Sequence, residues 1–257
     1  MGSRFVQVFL KEYMIIIDIL ALLGIFFFFR LSKEQRVQLY FWLPFLILMF
    51  TVFYSNMGAY TLYDHEFNRS VNAYLGNTEF PRYNLWLFNV TNKQVLTILY
   101  LFLIKSWLEP SKKKYINWML TGFVVSSQVI QFSGLEPIYW FQPLIFTIGA
   151  NMILVGSGLY FVGLMTNDRY LNSNPLRLTS FWQMTFILFT YSLTYINDVT
   201  KLYLVTYNYE LGKSLSYTEI VMDVFNLAIL MLTIASPLLP GIFEKEPSYE
   251  LQGRKSA

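Results

Sequence analysis

The chain has 257 residues, of which 55% are hydrophobic, 19% aromatic and only 14% charged, and its net charge is +3. Soluble domains carry about 25% charged residues, so this composition excludes an ordinary soluble globular domain. The chain has no cysteine and one histidine, His65, which excludes disulfides, cysteine nucleophiles, cysteine-ligated metals and a multi-histidine metal or haem site. The small net charge gives no reason to expect a nucleic-acid partner.

Apolar residues fall in repeated blocks of about 20, the length that spans roughly 30 Å of hydrocarbon. The first block lacks a small-residue cleavage site, so we interpret it as a retained helix and not as a signal peptide. Because the connectors are short, we predict one all-α domain over residues 1–257, a bundle of seven transmembrane helices in the plasma or cell membrane. The predicted helices cover, to within a few residues, 13–30, 37–58, 84–107, 115–133, 141–165, 179–204 and 217–238.

Charged side chains inside two of the predicted helices are the first candidates for function. Asp18, in the first helix, is either a proton-relay group or a hydrogen-bonding partner of a neighbouring helix. Lys93 lies roughly halfway along the third helix, where a charge costs about 3 kcal/mol or more on insertion. At α-helical spacing, Lys93 shares one face with Trp86, Asn89 and Leu96. If that face looks into a bundle, the lysine points at whatever the bundle encloses.

The fifth predicted helix carries a regular pattern of glycines. Gly149, Gly156 and Gly163 recur every seven residues on one face. Small residues on one face let helix backbones approach closely. The pattern predicts close packing, either within the chain or between copies in a homo-oligomer.

The seventh predicted helix holds the best partner for Lys93. Asp223 lies at a depth that an extended lysine side chain can reach, whereas Asp18 and Glu219 lie nearer a membrane edge. Either charge left alone in hydrocarbon would be neutralised, so we predict that Asp223 is the counter-ion of Lys93. Such a pair is either part of a functional site or a structural ion pair that pins helix three to helix seven.

Basic residues are concentrated in alternate connectors. The second, fourth and sixth connectors contain several acids, and their basic residues are Arg69, Arg82 and Lys213. By the positive-inside rule, the N-terminus is predicted to be outside and the C-terminus inside. The basic residues assigned to the inside are Arg30, Lys33, Arg36, Lys105, Lys112, Lys113, Lys114, Arg169, Arg177, Lys245, Arg254 and Lys255.

Four runs of sequence resemble the microbial (type 1) rhodopsins. In helix three, R-Y-N-L-W-L-F at 82–88 matches the family's R-Y-x-x-W-L-F run, and F-W-L-P-F-L-I-L-M-F in helix two is similar to the family's second helix. In helix six, L-F-T-Y-S-L-T-Y resembles the pocket run W-x-x-Y-P-x-x-W, and V-M-D-V-F-N-L in helix seven resembles L-D-V-x-x-K. The resemblance implies seven helices around a retinal that is bound as a Schiff base to a seventh-helix lysine.

The matched positions imply roles for individual residues. Arg82 corresponds to the family's gating arginine, Trp86 to the tryptophan that sandwiches retinal, and Asp223 to the counter-ion. In the helix-six pocket Tyr191 is retained, whereas Tyr195 replaces a tryptophan. The residues expected around a retinal are Arg82, Leu85, Trp86, Asn89, Lys93, Trp140, Tyr191, Tyr195, Asp223 and Leu227.

Three departures from the family pattern change the expected chemistry. The seventh-helix lysine position is Leu227, the primary carboxylate position in helix three is Leu85, and the usual proton-donor position falls near Leu96. A proton pump needs an acceptor and a donor in series, so a conventional proton pump is not expected.

Two hypotheses follow. In the first, the Schiff base has moved to Lys93 with Asp223 as its counter-ion, and the chain is a retinal photoreceptor, either a sensor or an unconventional ion path. The short tail leaves no room for an effector domain, so a sensor would need a signalling partner. In the second, the chain is a chromophore-free opsin relative with an interaction or regulatory role, and the Lys93–Asp223 pair is structural. A transporter or channel ranks third, since no broken helix or inverted repeat is visible, and no enzymatic activity is expected.

Overall fold

The computed structural model of the chain describes residues 9–171 and 173–247, with the side chains at 63, 169, 197–199 and 201–206 left out. Arg254 and Lys255, which entered the orientation prediction, lie outside the described residues, as does the side chain of Arg169. The described part is helical throughout and contains no strand. Its long helices are α1 (Glu12–Arg30), α2 (Leu39–Tyr63), α3 (Leu85–Trp107), α4 (Pro110–Phe132), α5 (Pro143–Thr166), α6 (Thr179–Tyr207) and α7 (Tyr209–Ala235). Short helical segments cover Lys33–Arg36, His65–Tyr74, Asp168–Leu171, Pro175–Arg177 and Ser236–Leu238.

Within the described residues, five helices, α1, α2, α3, α5 and α7, are long and apolar enough to cross a membrane. Their outward faces expose large apolar side chains, such as Leu22, Phe53 and Val155, which the hydrocarbon of a bilayer would cover. Helices α4 and α6 have similar lengths but contain more polar residues. The chain is therefore a helical protein suited to a membrane and to contact with lipid, and the count of seven transmembrane helices stays a prediction.

Two helix boundaries differ from the prediction because side chains cap them. Helix α7 begins at Tyr209, eight residues earlier than the predicted start at 217, and the Asn208 side chain accepts a hydrogen bond from the Leu211 N–H at 3.2 Å. Residues predicted as an open second connector contain the helix His65–Tyr74, whose first turn is capped by the Asp64 carboxylate. A cap satisfies N–H groups that have no partner within the helix, so a polar segment can be helical without an apolar signal.

Prolines and glycines mark other helix ends. Helices α4 and α5 begin at Pro110 and Pro143, in the first turn, where a helix needs no N–H donor. Gly76 and Gly134 follow helix C-termini with φ of 79° and 76°, a conformation that side chains with a Cβ disfavour.

The long helices close into a ring. Each packs against the next in sequence, α7 returns to pack against α1, and contacts between α3 and α5 and between α2 and α7 cross the ring. Aliphatic side chains that are fully buried fill its interior, among them Ile47, Leu101, Ile153, Ile187 and Leu230. Every helix of the ring except α4 thereby gains a face directed at a common centre.

The glycines of α5 allow two of these close contacts. A Cβ at Gly149 would lie 3.0 Å from atoms of Phe123 on α4 and Thr97 on α3, and one at Gly156 would lie 3.2–3.3 Å from side chains of the same two helices. The predicted close packing is confirmed, and it occurs within the chain.

The basic connectors and the tail meet at one end of the ring. Arg177, in the fifth connector, forms an ion pair with Glu244 of the tail at 3.1 Å. Asn167, at the end of α5, donates a hydrogen bond to Glu109 of the third connector at 3.0 Å. The second and fourth connectors pack against each other at a different place, away from these contacts. Which end faces the cell interior stays a prediction.

Candidate functional site

A cavity of about 50 Å³ lies at the centre of the ring. Its lining is unusually polar for the interior of a membrane bundle, because it combines carboxyl, amide and hydroxyl groups with a few apolar side chains. The lining residues are Tyr13, Thr51, Tyr54, Asn92, Leu96, Tyr100, Phe146, Thr190, Tyr191, Thr194, Glu219, Asp223, Asn226 and Leu227. The cavity thus brings together three predicted site residues, Tyr191, Asp223 and Leu227.

Helix α7 supplies the acidic side of the cavity. Glu219, Asp223 and Asn226 follow one another at i, i+4 and i+7, a spacing that puts them on one helix face. The Asp223 carboxylate makes no hydrogen bond or ion pair with another described residue. Leu227, one helical turn after Asp223, is buried and occupies the position where the resemblance would require the Schiff-base lysine.

Only one of the two polar atoms of the Asn226 side-chain amide has a hydrogen-bond partner among the described residues. Its Nδ2 donates a hydrogen bond to the Tyr100 hydroxyl at 2.6 Å. Its Oδ1 is buried and has no hydrogen-bond partner among the described residues, and the whole residue is only 3% exposed. The Tyr100 ring in turn packs edge-on against Tyr191, with ring centres 5.5 Å apart. Two helices, α3 and α6, therefore hold the amide beside the acidic face of α7.

Lys93 lies outside the lining of this cavity. Its Nζ is 4.6 Å from the centre of the Phe141 ring and 4.7 Å from that of Phe146, within the range of cation–π attraction. Among the described side chains no ion pair joins Lys93 to Asp223, so the predicted pair is not formed. Phe146 itself lines the cavity.

The backbone of α3 explains the displacement of Lys93. Residues Asn89–Val95 are π-helical, and the Leu96 N–H bonds to the carbonyl of Thr91, five residues back. In a π-helical turn the hydrogen bond reaches back five residues instead of four, so the turn contains an extra residue. Residues before and after this turn therefore do not share the face that α-helical spacing predicts. Lys93 turns toward the start of α5, whereas Leu96 lines the central cavity. Of the residues predicted to share one face, Asn89 and Lys93 both contact the segment 138–146, whereas Leu96 lines the cavity.

Trp86 and Asn89 contact the second and fourth connectors. The Trp86 Nε1 donates to the Asn68 side chain at 3.3 Å, on the helix His65–Tyr74. Asn89 is 1% exposed and donates to the carbonyls of Ile138, at 2.7 Å, and Trp140. Both contacts fix α3 to a connector, so the retinal-sandwich role implied for Trp86 is not supported by its position.

The remaining predicted residues also lie away from the cavity lining. The Arg82 side chain is exposed, which does not suit a gating arginine between helices. Trp140 is 47% exposed, with its ring 6.4 Å from that of Phe80. Tyr195 and Leu85 are partly buried. On α6, the residues that line the cavity beside Tyr191 are Thr190 and Thr194, and not Tyr195.

Asp18 makes a contact between neighbouring helices. Its carboxylate accepts a hydrogen bond from the Asn56 side chain on α2 at 2.8 Å. Of the two interpretations given for this residue, the hydrogen-bonding one describes its position.

The cavity does not fit a retinal. Drug-sized ligands occupy pockets of about 300–1,000 Å³ with mainly apolar linings, whereas a site of about 50 Å³ holds roughly three or four water molecules. A larger cavity of about 360 Å³ lies where the tail meets the first connector, and it contains none of the predicted site residues. The side chains around the central cavity suit water and small polar ligands better than a polyene.

Sequence reasoning missed several lining residues: Tyr13, Tyr54, Tyr100, Phe146, Thr190, Thr194 and Asn226. Asn226 had a usable signal, because it continues the spacing of Glu219 and Asp223 on α7. The three missed tyrosines had none, since the chain contains 19 tyrosines and only the packing of the helices places four of them at the cavity.

Compared with models of known protein families, with curated proteins and with solved structures, the chain matches none of them.

Proposed function

We propose that this chain is a seven-helix, opsin-like membrane protein that works without a bound chromophore, in an interaction or regulatory role. The observation that carries the proposal is the size and polarity of the central cavity, about 50 Å³ between carboxyl, amide and hydroxyl groups. The packing of the Lys93 amine against two phenylalanine rings, outside the lining, supports it further. Lys93 then has a structural role in joining α3 to the start of α5.

The proposal includes the orientation with the N-terminus outside and the C-terminus inside. The gathering of the basic connectors and the tail at one end of the ring supports it, because basic residues favour the cytoplasmic side. The two more polar helices, α4 and α6, would cross the membrane as parts of the closed ring, each packed between two neighbouring helices.

An absorption spectrum tests the proposal directly. The full chain is expressed with all-trans retinal, purified and then treated with hydroxylamine, which cleaves a retinal Schiff base. We expect no visible band beyond that of free retinal, and the same spectrum for Lys93→Ala as for the wild type. Lys105→Ala is the matched control, because Lys105 is a second lysine of α3 whose Nζ also lies over an aromatic ring.

A retinal photoreceptor with its Schiff base on Lys93 is the second candidate function. One observation favours it: Phe146, whose ring centre lies 4.7 Å from the Lys93 amine, lines the same cavity as Asp223. A visible band that hydroxylamine bleaches, and that is lost in Lys93→Ala but kept in Lys105→Ala, would establish this function and overturn the first proposal.

A further inference from the structure

The unpartnered oxygen of Asn226 is the starting observation. Buried polar atoms are almost always hydrogen-bonded to protein or to ordered water, and those that are not call for a specific explanation. The Oδ1 atom of Asn226 is an acceptor, belongs to a residue that lines the central cavity and has no donor among the described residues. The other end of the same amide, Nδ2, donates to the Tyr100 hydroxyl. A ligand in the cavity can supply the partner that Oδ1 lacks.

The acidic side chains of the lining also favour a bound ligand in the cavity. Asp223 lies on the same face of α7 as Asn226, and its carboxylate has no hydrogen bond or ion pair with a described residue. Glu219 adds a second carboxyl group one turn away. No lysine, arginine or histidine lines the cavity, and the Lys93 amine lies over the rings of Phe141 and Phe146. An ionised carboxylate inside a membrane bundle is costly unless a positive charge accompanies it.

We propose that this cavity is a binding site for a small monovalent cation of the size of Na⁺, held by Asp223, the Asn226 Oδ1 and neighbouring hydroxyl groups. The inference goes beyond the proposed function, since it assigns a ligand to the centre of the bundle. The cation satisfies the amide oxygen and neutralises the carboxylate at once, which a water molecule does not.

The donor atoms and the volume select this class of cation. The carboxyl and hydroxyl groups of the lining and the Oδ1 atom of Asn226 are oxygen donors, the ligands that hard cations prefer. Among the described residues no group of three or more His, Cys, Asp or Glu side chains is gathered, so a transition-metal site is not indicated. Ca²⁺ takes about 6–8 oxygen ligands, usually with several carboxylates, and Mg²⁺ loses its water reluctantly. A space for roughly three or four waters suits a monovalent ion with part of its hydration shell and excludes an organic cation.

Thermal unfolding in matched salts tests the inference. The purified full chain is heated in one detergent with NaCl or with choline chloride at the same ionic strength. A ligand that binds only the folded state raises its stability by mass action, so Na⁺ at about ten times its Kd should raise Tm by about 3–5 °C over choline. Retention of radioactive sodium by the folded protein, at about one ion per chain, is the direct measurement.

Two variants locate the ion. Asp223→Asn keeps the shape of the side chain and removes its charge, so the difference in Tm between NaCl and choline chloride should disappear and sodium retention should fall at least about tenfold. Glu210→Gln, an exposed carboxylate in the first turn of the same helix, is the matched control and should respond as the wild type does.

The inference is overturned by equal Tm values of the wild type in the two salts, or by a sodium response that Asp223→Asn retains. A response to Ca²⁺ without one to Na⁺ overturns it as well. The wild-type comparison decides the matter even if Asp223→Asn fails to fold. None of these outcomes depends on the retinal spectrum, so this inference and the proposed function can fail separately.

Discussion

Glu246 is the residue through which the tail is attached to the bundle. Its Oε1 accepts hydrogen bonds from the Ser180 N–H at 2.8 Å and the Thr179 hydroxyl at 3.0 Å, and its Oε2 accepts one from the Ser180 hydroxyl at 2.7 Å. These donors form the start of α6, so a carboxyl group from the tail caps a helix N-terminus far away in sequence. Burial nevertheless raises the pKa of Glu246, because removing the carboxylate from water opposes the hydrogen bonds and outweighs them.

The raised pKa of Glu246 predicts a specific pH dependence. The folded chain holds this proton more tightly than the unfolded chain does. The group therefore contributes its full stability below its ordinary pKa of 4.5 and loses that contribution as the pH rises through the raised pKa. Glu246→Gln keeps the side chain neutral at every pH. The Tm of the variant minus that of the wild type should therefore increase as the pH rises from 4.5 toward neutral.

The measurement is the difference in Tm between Glu246→Gln and the wild type at a series of pH values in one detergent. Glu79→Gln is the control, because Glu79 is exposed in the second connector, and its difference from the wild type should not change over the same range. A difference for Glu246→Gln that falls with rising pH would contradict the assignment of burial as the dominant cause.

Helix α5 shows how single glycines set the spacing of elements. Gly149 faces Phe123 and Thr97, both almost completely buried, whereas a Cβ at Gly158 on the same helix would meet no atom within 4 Å. The two positions differ by nine residues, and only the first lies between two neighbouring helices. Substitutions at these two glycines therefore compare a position packed between helices with a position on the same helix that faces open space.

We expect Gly149→Val to destabilise the bundle by about 1–3 kcal/mol, because the buried neighbours cannot move aside. Gly158→Val should leave stability close to that of the wild type, since its side chain enters open space. Thermal unfolding of both variants in the same detergent measures the difference. Equal losses in the two variants would mean that the cost arises from valine in the helix and not from the contact with α3 and α4.

Helix α3 shows a second property of elements, a local change of helical pitch. The π-helical stretch Asn89–Val95 joins the start of the helix, where Trp86 contacts the second connector, to the part that lines the cavity through Leu96 and Tyr100. Such stretches are frequent at functional sites. Within the stretch, Asn89 binds the fourth connector and Asn92 lines the cavity.

For the whole molecule, the proposed orientation can be tested with cysteine labelling. The chain contains no cysteine, so a single introduced cysteine is the only thiol. Glu79→Cys places it in the second connector and Lys33→Cys in the first, and both positions are exposed. A membrane-impermeant maleimide added to intact cells should label Glu79→Cys, whereas Lys33→Cys should react only after permeabilisation.

The reverse labelling would mean that the N-terminus is inside. Labelling of both cysteines in intact cells would contradict the placement of the two connectors on opposite sides of a membrane. Each variant serves as the control for the other, because both must react after permeabilisation for the comparison to count.

The sequence by itself determined the properties that depend on local spacing and hydropathy. The helical class, the existence of the five most apolar helices and the glycine face of α5 are all encoded in runs of neighbouring residues, and the structure confirms them. Asp223 was also recognisable, because an acid within an apolar helix is conspicuous wherever the helix packs.

Only the tertiary structure decided which side chains share the cavity and which do not. The position of Lys93 depends on a π-helical stretch that leaves no trace in hydropathy, and the attachment of Glu246 joins segments more than sixty residues apart. Asn226 acquires its unpartnered oxygen only because α3 and α6 close over α7. The physical reason is common to these cases: hydropathy reports the free energy of transferring each residue from water, whereas the partner of a polar group is set by helices that meet in space.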